Sequence, residues 1–491
     1  MKRKIFSQKF TNEYFLFLLP LFFVLHEFAS YYPVVPIGVP IRLLVEYLLA
    51  TIVLTIVAIL VYKSFQKAAL FAFLLFCIYF FFGAFHDALK NALGNVFITK
   101  YTILLPLLFI KLIVLALFFK KTNRTFSTLT KYLNILFILL ILVDAGVLIS
   151  KTSSKESLTV NLTREKIVRC ASCTHPDIFL IVADEYAGKQ ELQEVFGFDN
   201  SVFLNELKSR GFHVVENSRS NYNATVYSMA SMFNMNYLEN FKNNRITLRD
   251  MFRCRELIND NAVSNFLKNS GYSIHNYSFF KVAGEENAVK NLFFPTHRDL
   301  FTSQTFINRM MHDIAFNFAS KATLERIRKN NLYNDKIIDS LTIKTILEKT
   351  KTPKFVYSHF TMPHHPYFLD SNGKEAAYEL LTDSYSSNKN AYVEYLVYTN
   401  KQLLKIVDLI KAHAERGFII MIMSDHGWRQ FDEDANKDYH FMNLNAVFLP
   451  NQDYSHYYNG MSNVNQFRVL MNIYFQQNFP MLKDSTKYLF E

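Results

Sequence analysis

The chain has 491 residues and a net charge of +11; half of its residues are hydrophobic, and it holds only 13 glycines and four cysteines. The charge is uneven: residues 1–150 carry 14 basic and 5 acidic side chains, whereas residues 151–491 carry 39 and 37. A basic excess confined to an apolar first third argues against nucleic acid as a partner, and scarce glycine without a GxGxxG or P-loop pattern argues against a glycine-loop nucleotide site.

Five long apolar stretches come first, approximately Phe15–Tyr32, Leu43–Tyr62, Ala68–Phe85, Tyr101–Phe119 and Tyr132–Ile149. Each is near the roughly 20 residues that cross a bilayer as a helix, so residues 1–150 are expected to form a five-helix transmembrane domain. Five successive spans without a small-residue cleavage site do not read as a signal peptide. Lys2, Arg3, Lys4 and Lys9 precede the first stretch, Lys63 and Lys67 follow the second, and Lys120, Lys121, Arg124 and Lys131 follow the fourth. By the positive-inside rule these segments are cytoplasmic, and the C-terminal part emerges on the other side. His26, Glu27, Glu46, His86, Asp87, Lys111 and Asp144 lie within or at the ends of the stretches. They either contact a lipid head group or reach the interface from a helix end.

Residues 151–175 read as a linker, polar and charged at first, and residues 176–491 are long enough for one large α/β domain. Strand-like runs at Ile178–Ala183, Ser273–Ser278, Lys354–His359, Gly417–Met423 and Asn445–Leu449 alternate with helical patterns such as Ser201–Arg210, Asn261–Asn269, Ala391–Ala414 and Val464–Tyr474. That alternation predicts a mostly parallel sheet sandwiched by helices.

Two of the runs end on acids. Gly417–Met423 leads into Ser424-Asp425-His426-Gly427, and Ile178–Ala183 leads into Asp184. Open α/β sheets bind ligands at the C-terminal ends of their strands, so Asp184, Asp425 and His426 are candidate ligands of one cation. Glu185 is a weaker candidate, because adjacent strand residues face opposite ways. The segment Ser220–Met232 reads as a loop entering a helix, with Asn223 as N-cap and Thr225 in the first turn. There the helix dipole and free N–H groups favour an alkoxide or a bound anion, and a metal lowers the hydroxyl's pKa further. Thr225 is therefore a nucleophile candidate, or simply part of the cap.

Several elements occur in a fixed order: Pro176 to Asp184, Ser220-Asn221-Tyr222 followed by Thr225-x-x-Ser228, Pro363-His364-His365-Pro366-Tyr367, Ser424-Asp425-His426-Gly427-x-Arg429, and Asn443 to Pro450. This set resembles the alkaline phosphatase superfamily, and within it the sulfatase-like membrane branch of lipoteichoic acid synthases and lipid A phosphoethanolamine transferases. The resemblance implies an alkaline phosphatase-like fold behind five membrane helices. It assigns Asp184, Thr225, Asp425 and His426 to the metal, with Thr225 also the nucleophile. It makes His364, then His440, substrate-binding candidates, and Arg429 suits a phosphoryl group because a guanidinium matches its oxygens. The named transferases usually carry Glu where this chain has Asp184. Two carboxylates, an imidazole and a hydroxyl suit Zn²⁺, with Mn²⁺ the alternative. The spaced Asp-x-x-x-His of two-metal relatives is absent, which implies one metal. Sulfatase activity is not expected, because the Cys/Ser-x-Pro-x-Arg motif that yields formylglycine has no counterpart around Thr225.

The expected protein is a multi-pass enzyme of the bacterial inner membrane with its catalytic domain in the periplasm. It takes phosphoglycerol or phosphoethanolamine from a membrane phospholipid, forms a phospho-threonine, and passes the group to a glycan or lipid of the envelope. The alternatives are a phosphodiester or phosphate-ester hydrolase with the same site, and a non-catalytic envelope scaffold. Cys77 falls in the third stretch; Cys170, Cys173 and Cys254 allow either a local disulfide or a pairing with Cys254.

Overall fold

A computed structural model describes residues 13–94, 96–153, 167–168, 170, 172–238, 244–289, 294–314, 321–381, 385–431 and 435–490. Lys2, Arg3, Lys4 and Lys9, and residues 154–166, 169 and 171 of the expected linker, lie outside the described residues. The chain forms two compact units: Met1–Leu158 with Pro295–Ala319, and Thr159–Phe294 with Ser320–Glu491.

The first unit is helical, with α1 (Phe15–Tyr31), α2 (Gly38–Tyr62), α3 (Phe65–Leu93), α4 (Tyr101–Lys121) and α5 (Ser127–Ser153). Four of these, α2 to α5, are long and apolar enough to cross a membrane; α1, with 17 residues, falls short of that length. At 1.5 Å per residue α1 spans about 26 Å. It stops at Tyr31 because Pro33 and Pro36 follow, and a residue before proline is pushed out of the helical region. Phe15, Leu19 and Phe23 of α1 are buried, and Phe23 stacks on Phe80 of α3 with ring centroids 4.2 Å apart.

The second unit holds six strands, β1 (Asp177–Ala183), β2 (His213–Val214), β3 (Ser273–Tyr277), β4 (Lys354–Phe360), β5 (Phe418–Met423) and β6 (Asn445–Phe448). Its helices are α6 (Lys189–Phe196), α7 (Ser201–Ser209), α8 (Thr225–Asn234), α9 (Leu248–Asn259), α10 (Ala262–Asn269), α13 (Lys321–Leu347), α14 (Lys389–His413) and α15 (Asn463–Phe475). Between α10 and α13 the chain forms α11 (His297–Thr302) and α12 (Phe306–Asp313), which belong to the helical unit.

The sheet order is β2-β6-β5-β1-β4-β3. Pairings β5·β1, β1·β4 and β4·β3 are parallel, while β6 pairs antiparallel with both β5 and β2. The sheet is thus mixed, with three of its five pairings parallel and β6 alone reversed, and the cause of that reversal is local. A parallel return needs a crossover, usually a helix, and among the described residues between β5 and β6 the chain makes a short 3-10 helix, Lys437–Phe441, and no α-helix. Every residue of β1 is buried, as expected of a central strand covered on both faces. In α14 the face of Tyr392, Leu396, Leu403, Ile406 and Ile410 joins the same core, where each fully buried Leu or Ile contributes about 1.5–3 kcal/mol.

Candidate active site and metal centre

Strands β1 and β5 are hydrogen-bonded neighbours with Val182 opposite Met423, so the residues that follow them leave the sheet side by side. That register brings Asp184 beside Asp425 and His426, although 240 residues separate the two segments. Donor atoms of Asp184, Asp425 and His426 all lie within 4.8 Å of one another, and all three residues are buried. His426 Nε2 is 3.2 Å from Asp425 Oδ2 and 4.0 Å from Asp184 Oδ1. Thr225 Oγ1 completes the group, 3.2 Å from His426 Nε2.

The turn is held from several sides. Ser424 Oγ donates to the His426 carbonyl at 2.7 Å, Ser228 Oγ to the Asp425 carbonyl at 2.6 Å, and Asn443 Nδ2 to the Ser424 carbonyl at 2.7 Å. A Cβ at Gly427 would sit 2.2 Å from the Tyr439 carbonyl oxygen and 2.6 Å from that of Met442, which explains the glycine of the motif. Ser228 and Asn443 thus hold the ligand-bearing backbone, a role that their motifs did not disclose. Thr225 is the first residue of α8, and the cap is Ala224 in extended conformation with no side-chain bond. Asn223, expected as the cap, instead exchanges hydrogen bonds with the backbone of Leu489 at 2.8 and 3.0 Å.

Electrostatics set this group apart from ordinary burial. His426 Nδ1 lies 2.8 Å from the Gly427 carbonyl, to which only a protonated Nδ1 can donate, so Nε2 presents a lone pair. Burial also holds the imidazole well below its usual pKa, hence neutral. Asp184 is pushed well above the carboxylate range, first by burial and then by the charges of Asp425 and Glu185. Asp184 Oδ1 and Asp425 Oδ2 are buried without a hydrogen-bond donor among the described residues. The 3.2 Å between His426 Nε2 and Asp425 Oδ2 is close to the edge, about 3.3–3.6 Å, of a tetrahedron with about 2.0–2.2 Å bonds to a central ion, and the 4.0 Å to Asp184 Oδ1 is somewhat wider. The residues therefore fit a divalent cation of the zinc type.

Glu185 stands next to Asp184 and does something else. Its backbone is left-handed, with φ of 59°, and its Oε1 accepts from Arg429 N at 2.8 Å and Gln430 Nε2 at 3.2 Å. Burial pushes its pKa up, but His364, Arg429 and His426 outweigh this and leave it below the usual value. His364 Nε2 is 3.6 Å from Glu185 Oε2, and Arg429 Nη1 donates to the Asn223 carbonyl at 3.2 Å, two residues before Thr225. His364 and Arg429 therefore meet around Glu185 rather than in the ligand group. His440 lies in the 3-10 helix; its carbonyl accepts from Gly427 N at 2.9 Å, and its ring packs 5.2 Å from Phe431 and from Tyr488. Burial holds it down at about 4. His359, on β4, is buried beside the site: Nε2 is 3.8 Å from Asp184 Oδ2, Nδ1 is 2.6 Å from the Tyr357 hydroxyl, and burial lowers it to about 4. Cys170 and Cys173 form a disulfide, and Cys254 is a free buried thiol.

A family model described as Sulfatase matches residues 176–483, well over half of the chain. The chain belongs to the sulfatase family. No curated protein matches it. Among solved structures it is similar to the C-terminal periplasmic domain of EcEptC from Escherichia coli (13% identity, 66% of this chain and 94% of that one, TM-score 0.40). It is also similar to the integral membrane lipooligosaccharide phosphoethanolamine transferase A from Neisseria meningitidis (12% identity, 96% of each chain, TM-score 0.41). A third likeness is to a sulfatase-like protein from Bacteroides thetaiotaomicron (12% identity, 64% and 74% covered, TM-score 0.38).

Proposed function

We propose that this sulfatase-family chain is a membrane-anchored, metal-dependent transferase that moves a phosphoryl-linked head group, phosphoethanolamine or phosphoglycerol, from a phospholipid to an envelope glycan or lipid. The observation that carries the reading is Thr225 Oγ1 standing 3.2 Å from His426 Nε2, at the edge of the buried ligand group and at the start of a helix. Asp184, Asp425, His426 and Thr225 hold one divalent ion, zinc or manganese, which supplies Lewis acidity and lowers the pKa of a neighbouring hydroxyl. Thr225 Oγ1, resting as the alkoxide with its proton given up to solvent, attacks phosphorus in line, a Thr–O–P bond forms, and the bond from phosphorus to the diacylglycerol oxygen breaks. His364, backed by Glu185, delivers the proton to that leaving oxygen. Arg429 is the counter-charge for the phosphoryl oxygens, and His440 borders the substrate from the far side of Gly427. An acceptor hydroxyl then attacks phosphorus, its proton returns to His364, and Thr225 is freed.

The lysine and arginine distribution supports a catalytic domain outside the cytoplasm, in a reading that takes α1 to α5 as five spans of an inner-membrane protein and 151–175 as the linker to 176–491. Reporter fusions after Lys67 and after Glu491 are expected on opposite sides; finding both on one side removes the topology.

The chemical test is trapping. Wild type incubated with donor lipid and no acceptor is expected to carry the head-group phosphate on the peptide containing Thr225. Thr225→Ala is expected to lose at least about 10³-fold in turnover while staying folded, and Thr225→Ser to keep part of it. A dead Ala variant with no adduct in wild type would reduce Thr225 to a ligand.

A further inference from the structure

The chain leaves the catalytic unit after Phe294, contributes Pro295–Ala319 to the helical unit, and returns at Ser320. Specific contacts build this excursion into the helices. The Gln304 carbonyl accepts from Gly83 N at 2.9 Å, and a Cβ at residue 83 would lie 2.2–2.9 Å from Gln304 atoms, so the close approach requires glycine. Arg309 pairs with Asp87 at 2.5 Å, Arg298 pairs with Glu46 at 2.7 Å, and the Tyr101 hydroxyl donates to Asp313. Phe306 meets Phe82 edge to face, with centroids 4.9 Å apart. All of these partners lie toward one end of the helices: the N-terminal parts of α2 and α4 and the C-terminal part of α3.

Within α12, Arg309 and Asp313 are engaged by α3 and α4, and Asn308 Nδ2 donates to Thr302 Oγ1 at 2.6 Å. Ile307 and Met311, spaced i and i+4, share another face and are 55% and 64% exposed. They stand at the same end of the unit as Phe85, Val96, Phe97 and Ile98, which are also exposed. An apolar pair on a short amphipathic helix, packed at one end of a unit of membrane-crossing helices, has the form of an element lying in the bilayer interface.

We propose that α12 is an interfacial membrane helix whose Ile307 and Met311 enter the acyl boundary of the outer leaflet. The inference rests on the membrane reading of α2 to α5. It means that the chain of the catalytic unit is committed to lipid at two places in sequence, the end of α5 and α12.

The test uses the full chain in phosphatidylethanolamine–phosphatidylglycerol nanodiscs. Cys77 and Cys254 are replaced by serine, and single spin labels are placed through Ile307→Cys, Met311→Cys, His312→Cys and Phe109→Cys. His312 is the polar control, its side chain 87% exposed, and Phe109, 64% exposed in α4, is the lipid control. The ratio of oxygen to nickel-chelate collision rates is expected to be severalfold higher at 307, 311 and 109 than at 312. Lipid access at 109 with water access at 307 and 311 would overturn the inference and leave the membrane reading standing. Water access at 109 would overturn both. Immobilised labels at 307 and 311, shielded from both reagents, would mean that protein covers the face and would also overturn it.

Discussion

The helical and catalytic units dispose of their acidic side chains by different means. In the helical unit Asp87 faces Arg309, Glu46 faces Arg298 and Arg42, and Asp144 faces His26 at 3.1 Å. In the catalytic unit Asp184 and Asp425 converge on a neutral imidazole, and neither pairs with lysine or arginine among the described residues. Adjacent residues repeat the contrast, because Glu185 has Arg429 Nε 3.9 Å from its Oε1 while Asp184 pairs with no lysine or arginine among the described residues. Charge that is paired within the protein holds the structure together; converging acceptors without a donor are kept for a cation from outside.

The strongest way to break this contrast is to remove an acceptor. Wild type is expected to carry about one divalent ion per chain, and Asp425→Asn and His426→Ala to lose it along with at least about 10²-fold in activity, the upper end of the roughly 10–100-fold lost when only an indirect metal partner is removed. Zinc at 100 to 1,000 times its Kd should stabilise wild type by about 3–4 kcal/mol and leave Asp425→Asn unmoved. The single tryptophan, Trp428, is buried two residues after His426 with Nε1 2.9 Å from the Tyr367 hydroxyl, so its fluorescence follows unfolding of this unit. Metal retained at full stoichiometry by a folded Asp425→Asn protein would place the site elsewhere.

Asp335 sharpens the comparison with a carboxyl that has neither a cationic partner among the described residues nor a place in the ligand group. It lies buried on α13, accepting from Thr361 N at 2.8 Å and Thr361 Oγ1 at 2.7 Å, and burial pushes it up to about 6. The folded state then holds this proton more tightly than the unfolded chain does, so the group's contribution is fully present below about pH 4. It is lost as pH rises towards 6, at a cost of about 3 kcal/mol by pH 7. Asp335→Asn keeps an acceptor for Thr361 N and is expected to be the more stable protein at pH 7.5, with no advantage at pH 4. A pH-independent difference in the fluorescence melt would remove this account.

Much of the site was legible because its residues follow strand ends. The apolar runs before Asp184 and Asp425 mark central strands, and neighbouring strands deliver their next residues to one place. The helix start at Thr225 was legible to within a residue of its cap, but Asn223 was misread because its partner, Leu489, lies 266 residues away. The direction of β6 was not legible, since a 3-10 helix and an α-helix leave similar traces in a short polar loop. The same holds for Glu46, His86 and Asp87. The apolar stretches flagged them as costly, yet Asp87 pairs with Arg309 and Glu46, besides its neighbour Arg42, with Arg298, both far along the chain. His86 instead meets the Thr99 carbonyl at 2.8 Å.

The smallest expected effect compares the two kinds of charge directly. Arg309→Met should destabilise the helical unit by about 1 kcal/mol, because it leaves Asp87 and Asp313 without their guanidinium. Asp87→Asn should cost a similar amount, and the double variant less than the sum, with a coupling of the order of 1 kcal/mol. In the metal-free catalytic unit the signs reverse. Asp184→Asn or Asp425→Asn alone relieves like-charge repulsion and stabilises, and the second substitution adds less than the first. Each unit carries one free thiol, the half-buried Cys77 in α3 and the buried Cys254 in α9. Their alkylation rates in graded denaturant, read peptide by peptide, report the opening of each unit separately. Coupling of the same sign in both units would mean that the catalytic carboxylates are paired after all, and the argument for a cation there would fall with it.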